Sequence, residues 1–245
     1  MTFRPLATGA RRPRIGAMTG TRLAVFDCDG TLVDSQHVIA SCMAAAFASE
    51  RLAAPGIDAV RRVIGLPLPQ CVATLAPDSD AARRARLVEA YKGTFFTIRQ
   101  RPDHHEPLFD GARGALDALE TEGWRLAIAT GKSRRGLLAV LERHGLADRF
   151  VSLQTADDGP GKPDPGMILR AMAATGAAPA DTVMIGDTSF DMAMAVNAEV
   201  PGIAVAWGYH AAEELVAAGA SVVAERFAEI PGLAARHRRR VRCAS

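Results

Sequence analysis

Short apolar runs alternate with helical patterns along most of this chain, and the alternation restricts the fold more than any other feature. The runs with the length and composition of strands are residues 23–26, 125–129, 150–154, 182–185, 203–206 and, more weakly, 222–224. Strands that alternate with helices form a parallel sheet covered by helices. The sequence therefore predicts an α/β domain, and 245 residues suffice for one such core with a modest insertion.

The stretch between the first two predicted strands contains no strand pattern. Residues 36–51, 57–64 and 81–99 have helical periodicity, with breaks at Pro55-Gly56 and in the loop of residues 65–69. This stretch is too long for a single crossover helix and too apolar for a disordered loop. We predict an inserted helical cap at residues 36–105, within a core made of residues 21–35 and 106–235.

Basic residues concentrate at the two ends of the chain. Residues 1–22 contain five Arg and no acidic residue, and residues 236–242 contain another five Arg. Such ends are usually solvated, so we expect basic tails at residues 1–20, which we predict to be disordered, and at residues 236–245. Met18 is an alternative to Met1 as the start. Because no aromatic residues are interleaved in a basic surface, nucleic acid is not expected as the main partner.

The cysteines indicate a reducing compartment. Their positions, Cys28, Cys42, Cys71 and Cys243, show neither a paired framework nor a CxxC metal spacing. No apolar run reaches the ~18 residues that a membrane helix needs. We therefore expect a cytoplasmic protein without a membrane partner.

Acidic residues follow two of the predicted strands. Asp27 and Asp29 come directly after the first strand, and Asp187 and Asp191 follow the fourth. Ligands of open parallel sheets bind beyond the carboxyl ends of the strands, so these acids are expected at a site. A pair of acids can divide the work, one as nucleophile or metal ligand and the other as proton donor. Taken alone, the Asp27–Gly30 motif fits an ordinary turn equally well.

Hydroxyl, glycine and lysine side chains occupy the neighbouring loops. Thr130 and Gly131 follow the second strand, where exposed backbone amides suit an anion. Lys162 lies in a Pro-rich turn before a helix, and it is one of only three lysines, with Lys92 and Lys132. The segment at Gly131 is not the end of a P-loop, because that motif requires glycine where the chain has Leu126.

These groups together indicate phosphoryl chemistry. Four carboxylates at neighbouring strand ends would repel one another unless a divalent cation lay between them. Oxygen ligands favour Mg²⁺ over Zn²⁺. Lysine, threonine and backbone amides then supply the positive field that a phosphoryl group needs.

The sequence resembles the haloacid-dehalogenase superfamily of phosphatases with a helical cap, in the phosphoglycolate-phosphatase-like branch. The resemblance covers residues 22 to 225, and it implies a Rossmann-like core with the cap inserted. Four motifs occur in the family's order: Asp27-Cys28-Asp29-Gly30-Thr31-Leu32-Val33-Asp34-Ser35, Ala129-Thr130-Gly131-Lys132, Lys162-Pro163 and Gly186-Asp187-Thr188-Ser189-Phe190-Asp191.

The resemblance implies a role for each acid. Asp27 would attack phosphorus and form an aspartyl-phosphate, and Asp29 would act as acid and then as base. Asp27, the backbone carbonyl of Asp29, and Asp187 would bind Mg²⁺, with Asp191 in support. The resemblance also implies that Thr130, Gly131 and Lys162 hold the phosphoryl group of a small phosphorylated substrate.

Two rival functions use the same fold. A sugar phosphomutase would use the same aspartates, but its cap should carry basic residues, and the loop of residues 65–69 offers none. A non-catalytic binding protein is disfavoured because Asp27, Asp29, Lys162 and Asp187 are all present. The sequence does not identify the substrate, for which phosphoglycolate is a candidate, or decide between a monomer and a homodimer.

Several nearby residues are predicted to be structural. We expect Cys28 to pack in the core, Asp34 and Ser35 to cap the first cap helix, and His104 to be solvated in a hinge. Lys132 fits two interpretations equally, as a substrate contact or as the partner of an acid.

Overall fold

The computed structural model describes residues 20–101 and 104–243, and it contains a six-stranded parallel sheet. The strand order is β3-β2-β1-β4-β5-β6, and each neighbouring pair is parallel. The strands are β1 Arg22–Phe26, β2 Trp124–Ala129, β3 Phe150–Gln154, β4 Thr182–Gly186, β5 Gly202–Val205 and β6 Val222–Ala224. The predicted α/β sheet is confirmed, with strand ends that differ by one residue at most.

Helices cover both faces of the sheet. They are α5 Ala112–Thr121, α6 Arg134–Arg143, α7 Gly166–Thr175, α8 Ser189–Asn197, α9 Ala212–Ala217 and α10 Ile230–Cys243, with short 3-10 turns at Ala147–Arg149, Pro179–Asp181 and Phe227–Glu229. Because side chains alternate along a strand, Phe26 of β1 packs with α5, α6 and α10, whereas Val25 packs with α7 and α8. Both faces of the central strand are therefore buried, as expected for a parallel sheet.

The described part of the inserted stretch contains four helices: α1 Gln36–Ser49, α2 Ile57–Arg61, α3 Leu68–Leu75 and α4 Ala81–Arg99. They share an apolar cluster of their own, in which Met43, Phe47, Val72 and Leu87 are buried. The sequence did not predict α3, because Pro67 and Pro69 looked like a break. Pro69 lies in the first turn of α3, where proline costs no hydrogen bond.

The expected tails have different outcomes. Residues 1–19 lie outside the described residues. At the other end, α10 continues to Cys243, so the part of the predicted basic tail that the structure describes is helical. Arginine is a good helix former, and no Pro or Gly interrupts the chain after Gly232.

Among residues 20–101 and 104–243, no helix is both long and apolar enough to cross a membrane.

Candidate active site

The predicted site residues meet at the carboxyl edge of the sheet. Because β1 lies between β2 and β4, Asp27 after β1 is adjacent to Thr130 after β2 and to Asp187 after β4. Asp27, Thr130 and Asp187 are all buried.

Three carboxylates lie closest together. One oxygen from each of Asp27, Asp187 and Asp191 lies within 4.8 Å of the other two. Asp187 is held by the Thr31 hydroxyl, at 2.8 Å, and by the backbone N–H of Tyr209, at 2.9 Å. The Asp29 carboxylate is not a member of this cluster.

Asp191 is fixed by the start of α8. Its carboxylate accepts hydrogen bonds from the backbone N–H and the hydroxyl of Thr188, at 3.1 and 2.7 Å. The Thr188 hydroxyl in turn accepts from the Asp191 N–H, which completes a capping box. The capping box thereby holds the Asp191 side chain at the carboxyl edge of the sheet.

Lys162 lies between two of the acids. Its ammonium group is 2.8 Å from Asp27 Oδ1 and 2.6 Å from Asp191 Oδ1. The side chain is fully buried, and burial of a charge is tolerated only where it is paired. Lys162 therefore belongs to the acidic cluster and supplies one positive charge to it.

The acidic cluster retains an excess of negative charge. Burial raises the pKa of Asp27 to about 7, with Lys162 lowering it and Asp191 raising it. Burial and the charges of Asp27 and Asp191 raise the pKa of Asp187 well above its ordinary value. In addition, Asp27 Oδ2 is buried and has no hydrogen-bond partner in the described part of the chain. A divalent cation fits these residues, since it would offset the charge and occupy the unpartnered oxygen.

Gly30 permits the turn that brings the acids together. Its φ is +84°, and a Cβ at this position would lie 2.2 Å from Asp187 Oδ2. The backbone after β1 can approach Asp187 this closely only because residue 30 has no side chain.

The Asp29 carboxylate is held by Ser35 and Lys132. Its Oδ1 accepts a hydrogen bond from the Ser35 hydroxyl at 2.5 Å and lies 2.9 Å from the Lys132 ammonium. Ser35 makes no side-chain cap hydrogen bond to α1, so its predicted capping role is wrong. Lys132 is thus the partner of an acid. Burial lowers the pKa of Lys132, but Asp29 and Glu106 raise it to well above its usual range.

Glu106 extends this contact to the end of the cap. Its carboxylate lies 3.4 Å from Lys132 and 2.8 Å from the His104 ring. His104 is buried, so the expectation that it is solvated is wrong. Nothing in the spacing of the sequence pointed to Glu106, because the contact joins segments that are remote along the chain.

A cavity of about 480 Å³ lies between the cap and the core. Asp27, Asp29, Thr130 and Gly131 line its floor. Cys28, by contrast, is buried in the core cluster, as predicted.

The cap loop touches the core at Gly131. A Cβ on Gly131 would lie 2.7 Å from the carbonyl oxygen of Gly65 and 2.8 Å from that of Leu66. Pro67 is similarly close to Gly161. The loop of residues 65–69 therefore closes directly over the second strand end, and both contacts involve backbone or rigid rings.

The substitution Gly131→Ala is expected to displace this loop. The carbonyl oxygens of Gly65 and Leu66 are backbone atoms, so they cannot move aside as a flexible side chain does. The added methyl group should therefore destabilise the closed arrangement of the loop by about 1–3 kcal/mol. We expect kcat/KM on a small phosphate ester to fall by roughly tenfold or more. Gly93→Ala in α4 is the control, since its Cβ would meet nothing within 4 Å. Equal activity in the two variants would show that the closed contact is not used in catalysis.

Comparisons with known proteins agree with this arrangement. The family model described as haloacid dehalogenase-like hydrolase matches residues 24–205. A Dickeya dadantii protein named "Probable phosphatase IndB" is 36% identical over 214 residues, covering 86% of this chain and 93% of that protein. A phosphoglycolate phosphatase of Caulobacter vibrioides is 32% identical over 219 residues, covering 87% of this chain and 90% of that protein.

A solved structure shows the same fold. The crystal structure of a hydrolase from Pseudomonas syringae has a TM-score of 0.77 and 26% identity, covering 87% of this chain and 98% of that one. The family match, the relatives and the fold agree with the motifs at the strand ends. The chain belongs to the haloacid dehalogenase-like hydrolase family, as an enzyme of its phosphatase branch.

Proposed function

We propose that this enzyme is a Mg²⁺-dependent hydrolase of small phosphomonoesters that forms an aspartyl-phosphate, an acyl phosphate, on Asp27. The observation that carries the proposal is the state of the Asp27 carboxylate. Its Oδ1 is fixed by the Cys28 N–H at 2.6 Å and by Lys162, whereas its Oδ2 is buried and has no hydrogen-bond partner among the described residues. Asp27 itself lines the cavity. An oriented carboxylate with one available oxygen is suited to nucleophilic attack or to metal binding.

Asp27, Asp187 and the backbone carbonyl of Asp29 would hold the cation, with Asp191 in support through its contacts to Thr188 and Lys162. When bound, Mg²⁺ would supply positive charge to the phosphoryl oxygens and reduce the repulsion among the acids. The carboxylate cluster described above supports this assignment.

In the first step, an oxygen of Asp27 bonds to phosphorus and the bond from phosphorus to the ester oxygen breaks. Asp29 gives its proton to the departing oxygen, so the alcohol leaves neutral. Thr130, the amides at Gly131, and Lys162 would bind the phosphoryl oxygens. Thr130 and Gly131 line the same cavity as Asp27, and the Lys162 ammonium lies 2.8 Å from Asp27 Oδ1, which supports these roles.

In the second step, water attacks the phosphorus of the aspartyl-phosphate. Asp29 removes a proton from this water, and the bond between phosphorus and the Asp27 oxygen breaks. Inorganic phosphate leaves, and Asp27 and Asp29 return to their starting states. The contacts from Ser35 and Lys132 orient Asp29 for both steps.

The cap would exclude bulk water and select the leaving group. We propose the predicted boundaries, residues 36–105, for this domain, which contains the four helices and their separate apolar cluster. Closure of the loop at Gly131 supports this role, because water at the site would compete with productive attack.

Phosphoglycolate is the first substrate to test, because the name of the Caulobacter relative specifies it. A panel of phosphorylated metabolites assayed with Mg²⁺ would test the proposed activity. Release of inorganic phosphate supports a phosphatase, whereas transfer of phosphate within a sugar phosphate would support the phosphomutase alternative.

Removal of divalent cations is expected to abolish hydrolysis, and Mg²⁺ should restore it. Asp187→Asn removes one anionic ligand, so we expect the Mg²⁺ concentration for half-maximal activity to rise by roughly tenfold or more. Asp58→Asn is the matched control, because Asp58 is an exposed acid of the cap. Full activity in excess chelator would contradict the proposal.

A further inference from the structure

The wall of the cavity is more apolar than a two-carbon acid requires. Ile39 and Met43 of α1 and Tyr91, Phe95 and Phe96 of α4 line it. Pockets of roughly 300–1,000 Å³ with walls of this kind usually hold ligands of drug-like size, and this cavity is about 480 Å³. The apolar wall therefore favours a leaving group with an apolar body.

Two arginines also line the cavity. Arg99 is at the end of α4, with its guanidinium carbon 5.7 Å from the Phe95 ring centre, and Arg135 is near the start of α6, 4.4 Å from the Phe96 ring centre. Within the described part of the chain, neither guanidinium forms a hydrogen bond or an ion pair. The Phe95 ring thus stabilises the charge of Arg99 on the cap side of the cavity, and the Phe96 ring stabilises that of Arg135 on the core side.

Arg99 lies in an environment that disfavours its charge. Burial lowers its pKa, and the nearby charges of Arg135 and Arg143 lower it further, although Glu106 acts in the opposite direction. Glu106 is already bound by Lys132 and His104. A ligand anion would offset the positive charges of Arg99 and Arg135 and accept hydrogen bonds from their planar guanidinium groups.

The other cations near the cavity already have partners. Lys132 is bound by Asp29 and Glu106, and Lys92 lies 2.7 Å from Glu89. Among the described residues that line the cavity, Arg99 and Arg135 therefore remain as the cations able to bind an anionic end of the leaving group.

We propose that the substrate is a phosphomonoester whose leaving group has an apolar body, which lies against Tyr91 and Phe95, and a second anionic group, which binds Arg99 and Arg135. The anionic group is a carboxylate or a second phosphate. This inference rests on the proposed phosphatase activity, and it specifies the substrate class of the same site.

Four synthetic esters separate the two parts of the proposal. Methyl phosphate has no body, benzyl phosphate has an apolar body, and para-carboxybenzyl phosphate and para-xylylene bisphosphate add an anion at the far end. All four leaving groups are primary alcohols of similar basicity, so differences in kcat/KM report binding of the leaving group. We expect kcat/KM to rise roughly tenfold from methyl to benzyl phosphate, and roughly tenfold or more again for the better of the two anionic esters.

The variants test which residues bind the anion. The quantity to compare is the kcat/KM for the preferred anionic ester divided by the kcat/KM for benzyl phosphate. In the double variant Arg99→Gln/Arg135→Gln, we expect this ratio to fall to within about twofold of one. Arg125→Gln is the control, because Arg125 is exposed on β2 and does not line the cavity, so its ratio should match the parent's. The better anionic ester identifies the anion as carboxylate or phosphate.

Each failure has a separate meaning. If none of the esters, nor phosphoglycolate, is hydrolysed with Mg²⁺ present, the proposed function itself is wrong. If the esters are hydrolysed but the parent does not prefer the anionic ones, or if its preference persists in the double variant, the assignment to Arg99 and Arg135 is overturned. A lack of preference for benzyl over methyl phosphate overturns the assignment of the apolar wall.

Discussion

Replacing Lys162 with methionine is expected to lower the free energy of unfolding in chelator by about 3–5 kcal/mol, because removal of one partner leaves a buried charge uncompensated. Here Asp27 and Asp191 would both lose the ammonium group that lies within 2.8 Å of each. Lys162 is also proposed to bind the phosphoryl group, so its loss should reduce kcat by roughly 10²–10³. Chemical denaturation and steady-state kinetics measure the two effects.

Lys92→Met is the matched control for the denaturation measurement. Lys92 is an exposed residue of α4 whose partner, Glu89, is exposed too, so its loss should cost little. Mg²⁺ should reduce the instability of Lys162→Met, since a cation that binds only the folded state stabilises it. A Lys162→Met protein as stable as the parent in chelator would mean that the acids do not depend on Lys162.

The second large effect is expected from Asp29→Asn, and it should depend on the leaving group. The leaving group of an alkyl phosphate is a strongly basic alkoxide, so loss of the proposed general acid should slow its hydrolysis by roughly 10²–10⁴. An aryl phosphate with an acidic phenol needs little protonation, so its first step should largely survive. Asparagine keeps an oxygen that can accept from Ser35, so the position of the side chain is retained. The Mg²⁺ affinity of the variant is the control, because the backbone of Asp29 is a proposed ligand.

The sequence was most informative where burial and topology leave a local pattern. The β1 strand is apolar because both of its faces are covered, so its run was visible without a partner. The acids that follow β1 and β4 could be placed together because parallel strands bring their carboxyl ends to one edge. The predicted fold is confirmed for these reasons.

The residues that sequence reasoning missed are those defined by tertiary contacts. Ser35 stands at a helix start, where a cap is the usual local role, yet its hydroxyl binds Asp29. Glu106 contacts Lys132 across a separation of 26 residues, at the point where the core resumes after the cap. Arg99 and Arg135 were indistinguishable from many other arginines, because only the folded chain shows which of them line the cavity. For this reason the sequence argument against a phosphomutase, which rested on the absence of basic residues from the loop of residues 65–69, does not extend to the cavity as a whole.

The most direct test of the account is the mass of the protein after rapid mixing of Asp29→Asn with an aryl phosphate and an acid quench. If Asp27 is the nucleophile, the second step lacks its base, so phenol should appear in a burst of about one equivalent per site and then slowly. The quenched protein should carry one phosphoryl group on Asp27, and Asp27→Asn should show neither the burst nor the added mass. Linear phenol release, with no phosphorylated Asp27 in either the parent or Asp29→Asn, would contradict covalent catalysis.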